Sequence, residues 1–198
     1  MTTSALLYAA GALLEAWLAV MLTISGRALR GADWRWTQWL AAGFGVNAAR
    51  SVRLALGYGS VSFAQHPDAL TATLASVALA LMTVALMDYV GLGARARRRI
   101  WLIAGPLLAG LWLASALGWL PRGQAALTAT AFFFGWAALF VRAARREPHS
   151  GHALVVLAIL TFPAIVIALK LGMLPLALLP IAEIVPLIEP MLIGSVPL

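Results

Sequence analysis

The sequence predicts an all-α integral membrane protein: a seven-transmembrane helix bundle with its N-terminus outside and its C-terminus in the cytoplasm. Three observations lead there. Of the 198 residues, 63% are hydrophobic and 11% charged, and the mean hydropathy is +0.93. Soluble domains hold about 45–50% apolar and roughly 25% charged residues. The apolar residues gather in runs of about twenty, the length a helix needs to cross the hydrocarbon core. The connections between these runs alternate between arginine-rich and arginine-poor, which orients the chain.

Seven runs follow one another, at about 4–25, 37–58, 69–91, 100–120, 124–142, 152–171 and 174–195. None shows the period-two polarity of a barrel strand, so all are expected as helices. The first connection holds Arg27, Arg30 and Arg35, the third Arg95, Arg97, Arg98 and Arg99, and the fifth Arg142, Arg145 and Arg146. The even-numbered connections offer only Arg122 and, at the border of the sixth, Lys170. Basic residues mark the cytoplasmic side, so the odd connections are expected there. Trp34, Trp36, Trp39 and Trp101 then fall at the inner boundary and Trp119 at the outer one, where interfacial anchors belong. The chain reads as one domain, 1–198, without linker, low-complexity tract or internal repeat. Its first run is too long for a signal peptide and has no basic residue before it.

Against this background the residues that cost energy in lipid stand out. The second run carries Asn47, Arg50 and Arg53 in "GVNAARSVRLALGYG". Arg50 and Arg53 are three apart and share a helix face, with Asn47 one turn back. An ionisable group at the bilayer centre costs about 2.5–3.5 kcal/mol on insertion scales, so it faces protein or water and has a partner. Glu15, mid-way along the first run, is at the depth of Arg50, and Glu183 of the seventh is at that of Arg53. Lys170 closes the sixth run. Two readings stay open: buried ion pairs that set helix packing, and an outer cavity that senses a ligand.

The seventh run, "PLALLPIAEIVPLIEPML", sets Glu183 and Glu189 among four prolines. Each internal proline frees a backbone carbonyl and kinks the helix, which leaves either a proton or cation site or a distorted packing helix. Pro106 and Pro163 are expected to bend the fourth and sixth helices. Asp88 stands beside the Arg95–Arg99 cluster and is expected to pair locally. His149 and His152 lack a third ligand at their depth, so no metal is expected, and no cofactor motif appears. "GLG" at Gly91–Gly93 follows no strand and is no nucleotide loop. There is no Walker loop, no serine–histidine–acid set, no zinc-protease signature and no lysine deep in the last run for retinal. The net charge of +7 comes from clusters between apolar runs, which suits anionic headgroups and not nucleic acid. The phenylalanines Phe132–Phe134 and Trp136 read as packing or lipid-facing residues.

The order of features resembles the N-terminal seven-helix sensor region of bacterial membrane-bound diguanylate cyclases (GGDEF proteins) and some histidine kinases. The residues that carry the resemblance are "ALLYAAGALLEAWLAVML", "WLAAGFGVNAARSVRLAL", "ALMDYVGLGARARRR" and "TFPAIVIALKLGMLPLALLPIAEIVPLIEP". The resemblance implies a sensor whose seventh helix leads into a cytoplasmic cyclase or kinase domain. The chain stops within that helix, at "IEPMLIGSVPL". It is therefore expected to be a sensor fragment or a protein that works through a partner.

The expected function is thus a sensory or regulatory signal-input domain of the bacterial inner membrane, not itself an enzyme. It would perceive a ligand or a membrane state and act through a cytoplasmic output domain or protein. Its partners would be the lipid bilayer and an output protein or a second copy. Two alternatives remain: an accessory subunit of a larger membrane complex, suited by the alanine and glycine in nearly every run, and a small ion- or proton-coupled transporter using Glu15, Glu183 and Glu189.

Overall fold

A computed structural model of the chain describes residues 3–28, 33–57, 68–120, 122–146, 150–171 and 173. They form six helices: α1 (Thr3–Ala28), α2 (Asp33–Gly57), α3 (Ala69–Tyr89), α4 (Ala94–Ala116), α5 (Arg122–Arg146) and α6 (Ser150–Lys170). Among the described residues there is no strand. Six of the seven expected runs are therefore helices, and the seventh, 174–195, lies outside the described residues. Among the described residues three helices are long and apolar enough to cross a membrane: Ala5–Arg27, Ala69–Tyr89 and Ala94–Ala116. The helix α2 is not one of them, because Arg35, Asn47, Arg50 and Arg53 dilute its apolar residues.

The chain forms two compact units, Met1–Ala125 and Ala126–Leu198. In the first, α1 packs on α2, α2 on α3, and α3 on α4. The cross-helix contacts run in opposite directions along each pair. Glu15 of α1 meets Asn47 and Ser51 of α2, whereas Gly26 abuts Thr37. Arg53 of α2 meets Asp68, Gly43 abuts Met82, and Trp36 stacks edge-on against Tyr89 with ring centroids 5.1 Å apart. Between α3 and α4, Asp88 meets Arg97 and Trp112 Nε1 donates to Thr73 Oγ1 at 2.8 Å. The four helices thus form an antiparallel meander.

The burial pattern is inverted relative to a water-soluble bundle. Along α1 the buried face is Ala5, Tyr8, Ala12, Glu15 and Leu18, while Leu6, Leu13, Trp17, Val20 and Ile24 point outward. Along α2 Thr37, Ala41, Phe44, Ala48, Ser51 and Leu54 are buried at three- and four-residue spacing, with Gly43 also buried against Met82. Small residues inside let backbones approach, and large apolar residues outside suit a lipid solvent.

The turn between α3 and α4 is shorter than expected. Gly91 adopts φ +64°, the Gly91 amide donates to Asp88 and the Leu92 amide to Met87. This glycine-based stop needs a left-handed residue. Gly93 then opens α4, so Arg95–Arg99, expected in a connection, stand in the first turns of a helix. Arginine is a good helix former, and only the glycines interrupt. The same stop recurs at Gly118, φ +69°, after α4. Both Pro106 and Pro163 are inside continuous helices. In the second unit Phe132, Trp136 and Ala137 of α5 are buried, Phe134 is exposed, and Phe133 meets Trp136 at 4.9 Å.

Candidate functional site

The buried face of α1 contains one charged side chain, Glu15, at 2% exposure. Its surroundings come from α2, where Asn47 and Ser51 are one turn apart and face α1. Asn47 Nδ2 donates to Glu15 Oε1 at 2.6 Å, and Ser51 Oγ donates to Oε2 at 2.9 Å. Each carboxylate oxygen therefore has a protein donor in place of water, the condition for keeping a buried acid. Arg50 joins through the same asparagine: its Nη1 donates to Asn47 Oδ1 at 3.4 Å. The amide stands between an acid and a base, donating to one and accepting from the other. Glu15, Asn47 and Arg50 are thereby brought together, with Ser51 as a fourth member. Asn47 lies ten residues along α2 from Thr37, about 15 Å by helical rise, so the cluster is well inside the bundle.

A second cluster closes the other end of α2. Arg53 Nη2 and Nε donate to Asp68 Oδ2 at 2.6 and 3.1 Å. Asp68 is also the N-cap of α3, its Oδ1 accepting the Thr71 amide at 2.8 Å. Partial burial of Asp68 raises its pKa, but the bonds from Thr71 and Arg53 and the guanidinium charge outweigh this and hold the carboxyl below its ordinary 3.8. The pair is 41% and 33% exposed, so it is reachable from outside the helix bundle.

At the opposite end Asp88 pairs with Arg97, as expected for a local bridge, and Arg97 Nε donates to Leu92 O at 2.6 Å. This clasps the α3–α4 turn. Lys170 is the last residue of α6, and His152 lies in its first turn. Glu183, Glu189, His66 and His149 lie outside the described residues. Among the described residues no three histidine or carboxylate side chains converge as metal ligands. The second unit offers an open apolar depression along α6, lined by Leu157, Thr161, Ala164 and Ala168 and holding no charge.

Sequence reasoning passed over Ser51 and Asp68. Ser51 is four residues from Asn47 and shares its face. Asp68 immediately precedes the apolar run "ALTATLASVALALM", the position of a helix cap. Both signals were present in the letters.

The arrangement can hold charge within an apolar bundle and tie α1 to α2 and α2 to α3. Comparison with protein-family models, curated proteins and solved structures finds no match.

Proposed function

We propose that the chain is a sensory or regulatory signal-input domain of a bacterial inner membrane. In this reading it spans seven times, N-terminus outside, and acts without catalysis through a cytoplasmic output domain or partner. The observation that supports it best is the chain of polar contacts across three helices: Glu15 to Asn47 and Ser51, Asn47 to Arg50, and Arg53 to Asp68. Such contacts have discrete alternatives. A ligand or a change in membrane state that competes for Arg53 alters how α2 is held to α3, and packed helices respond by shifting as units. The side-chain charges support the orientation, since Arg27, Arg35, Arg95, Arg98 and Arg99 gather at one end of the first four helices.

Two measurements test this reading. Reporters inserted near Gln65 and fused after Leu198 should fall outside and in the cytoplasm, respectively. Both on one side would exclude an odd number of spans between them, and a cytoplasmic reporter near Gln65 would exclude the N-out arrangement. In a fusion of the full chain to a cyclase output domain, Arg53→Ala should shift cyclase output. Unchanged output over all envelope conditions tried would remove the sensor reading.

A second reading, an accessory subunit of a membrane complex, draws on the outward-facing Ala42, Gly45 and Ala49 of α2. Small residues at this spacing permit close helix approach. Stable copurification with a larger complex, lost on Gly45→Leu, would favour it.

A further inference from the structure

The meander brings the end of α1, the start of α2, the end of α3 and the start of α4 to one end of the first unit. Arg27, Arg35, Arg95, Arg98 and Arg99 are exposed there. Of the acids at this end, Asp33 opens α2, and Asp88 is engaged by Arg97. The arginines of α4 are crowded into its first two turns, where the helix dipole is positive and cations are disfavoured. Gly93 supplies no side-chain cap to offset this. Folding alone gives no reason for so much positive charge at this point.

The exposed face of α4 explains what would neutralise it. Arg98 is followed one turn on by Leu102, and Arg99 by Ile103, and all four side chains are exposed. The stripe continues through Leu107. One helix face therefore passes from guanidinium to hydrocarbon within a single turn, the profile of a phospholipid from its phosphate to its acyl chain. Trp34, Trp39 and Tyr89, amphipathic and exposed at the same end, fit the headgroup level.

We propose that the α4 face bearing Arg95, Arg98 and Arg99 above Leu102, Ile103 and Leu107 is a binding site for an anionic phospholipid. The phosphodiester lies against the guanidiniums, which bind phosphate oxygens in pairs, and an acyl chain lies along the apolar residues. The site is separate from the Glu15 and Arg53 clusters and does not depend on the sensor reading.

The test uses the full chain in mixed vesicles of phosphatidylglycerol and phosphatidylcholine, with retained lipid counted by native mass spectrometry. The wild-type chain should retain phosphatidylglycerol preferentially. Replacing Arg95, Arg98 and Arg99 together by glutamine should reduce that preference at least about tenfold, since each basic residue at an anionic surface contributes about fivefold. The melting temperature of this variant in zwitterionic detergent should match the wild type. Leu102→Ala with Ile103→Ala should lower the amount of lipid retained while preserving the preference for phosphatidylglycerol. An unchanged preference in the triple variant overturns the proposal, and the cluster then serves orientation alone. Displacement of the lipid by inorganic phosphate also overturns it, because the site would then take any free anion.

Discussion

Arg53 and Asp68 join two helices through a single carboxylate oxygen, Asp68 Oδ2, which accepts from both Nη2 at 2.6 Å and Nε at 3.1 Å. The other oxygen caps α3 through the Thr71 amide. The two roles separate by substitution. Asp68→Asn keeps an N-cap and loses the charge, whereas Asp68→Ala loses both. An exposed ion pair contributes little and a lost cap costs about 0.5–2 kcal/mol, so the alanine variant should be clearly the less stable in thermal melts. Equal losses would mean that the charge matters and the cap does not.

The same carboxyl gives a pH signature. Its folded pKa is lowered below 3.8, so its stabilisation is complete above 3.8 and is lost as pH falls through the lowered folded value. The difference in melting temperature between the wild type and Asp68→Asn should stay constant from neutral pH down to 3.8 and shrink only below it. A difference that fades well above 3.8 contradicts the assignment.

The Glu15–Asn47 contact allows an exchange experiment. Asn47→Asp sets a second carboxylate against Glu15, and folded yield should drop sharply because two like charges share a site. Adding Glu15→Gln exchanges acid and amide while keeping the hydrogen bond, and it puts the carboxylate beside Arg50. The double variant should recover most of the yield. Asn47→Ala should cost about 1–3 kcal/mol, the range for a buried acceptor that loses its donor. No recovery in the double variant would show that the position of the charge, and not its presence, is required.

Two glycines at helix contacts should differ. A Cβ at Gly26 would collide with Thr37 Oγ1 and lie 3.1 Å from Thr37 Cβ, on a β-branched side chain that turns with difficulty. At Gly43 the nearest atom is Met82 Cγ at 2.9 Å, on a side chain that yields. Gly26→Ala should therefore loosen the α1–α2 pair more than Gly43→Ala loosens α2–α3, as read by proteolysis or melting temperature. Thr37→Ala should recover part of the loss at Gly26.

At Gly91 the obstacle is the backbone. With φ at +64° and open space around the missing Cβ, Gly91→Ala should cost about 1–2 kcal/mol from conformation alone. Gly91→Asn should cost less, because asparagine visits this region more readily. Similar effects for the two would mean that the turn relaxes to another conformation.

Much of this architecture can be read from the letters, for reasons that differ by element. The helices α1, α3 and α4 follow from apolar runs of spanning length, and the Asp88–Arg97 clasp from nearness in sequence. The first turns of α4 did not, because arginines next to glycines look like a connection, and only the left-handed Gly91 shows where the turn ends. Depth suggests Glu15 with Arg50, and the structure links the two through Asn47, which donates to Glu15 and accepts from Arg50. Depth does not suggest Ser51, because a serine costs little in lipid and so attracts no notice. Asp68 falls between the expected runs 37–58 and 69–91, and a residue whose position is set by capping does not show as a partner at membrane depth.

The polarity of α2 has a consequence for how the chain is made. A helix carrying Arg50 and Arg53 enters lipid poorly by itself, since a charge at the centre costs about 2.5–3.5 kcal/mol on insertion scales. Asn47 and Ser51 of the same helix donate to Glu15, which leaves the ribosome more than thirty residues earlier. For a chain that spans as proposed, the unit of insertion is therefore the α1–α2 hairpin. On that proposal the first helix should be held until Ser51 has emerged, so that the two pass into the bilayer already paired. Truncations that end within α2 should be retained at the insertion machinery and degraded there, even though α1 alone has the length and hydrophobicity of a membrane anchor.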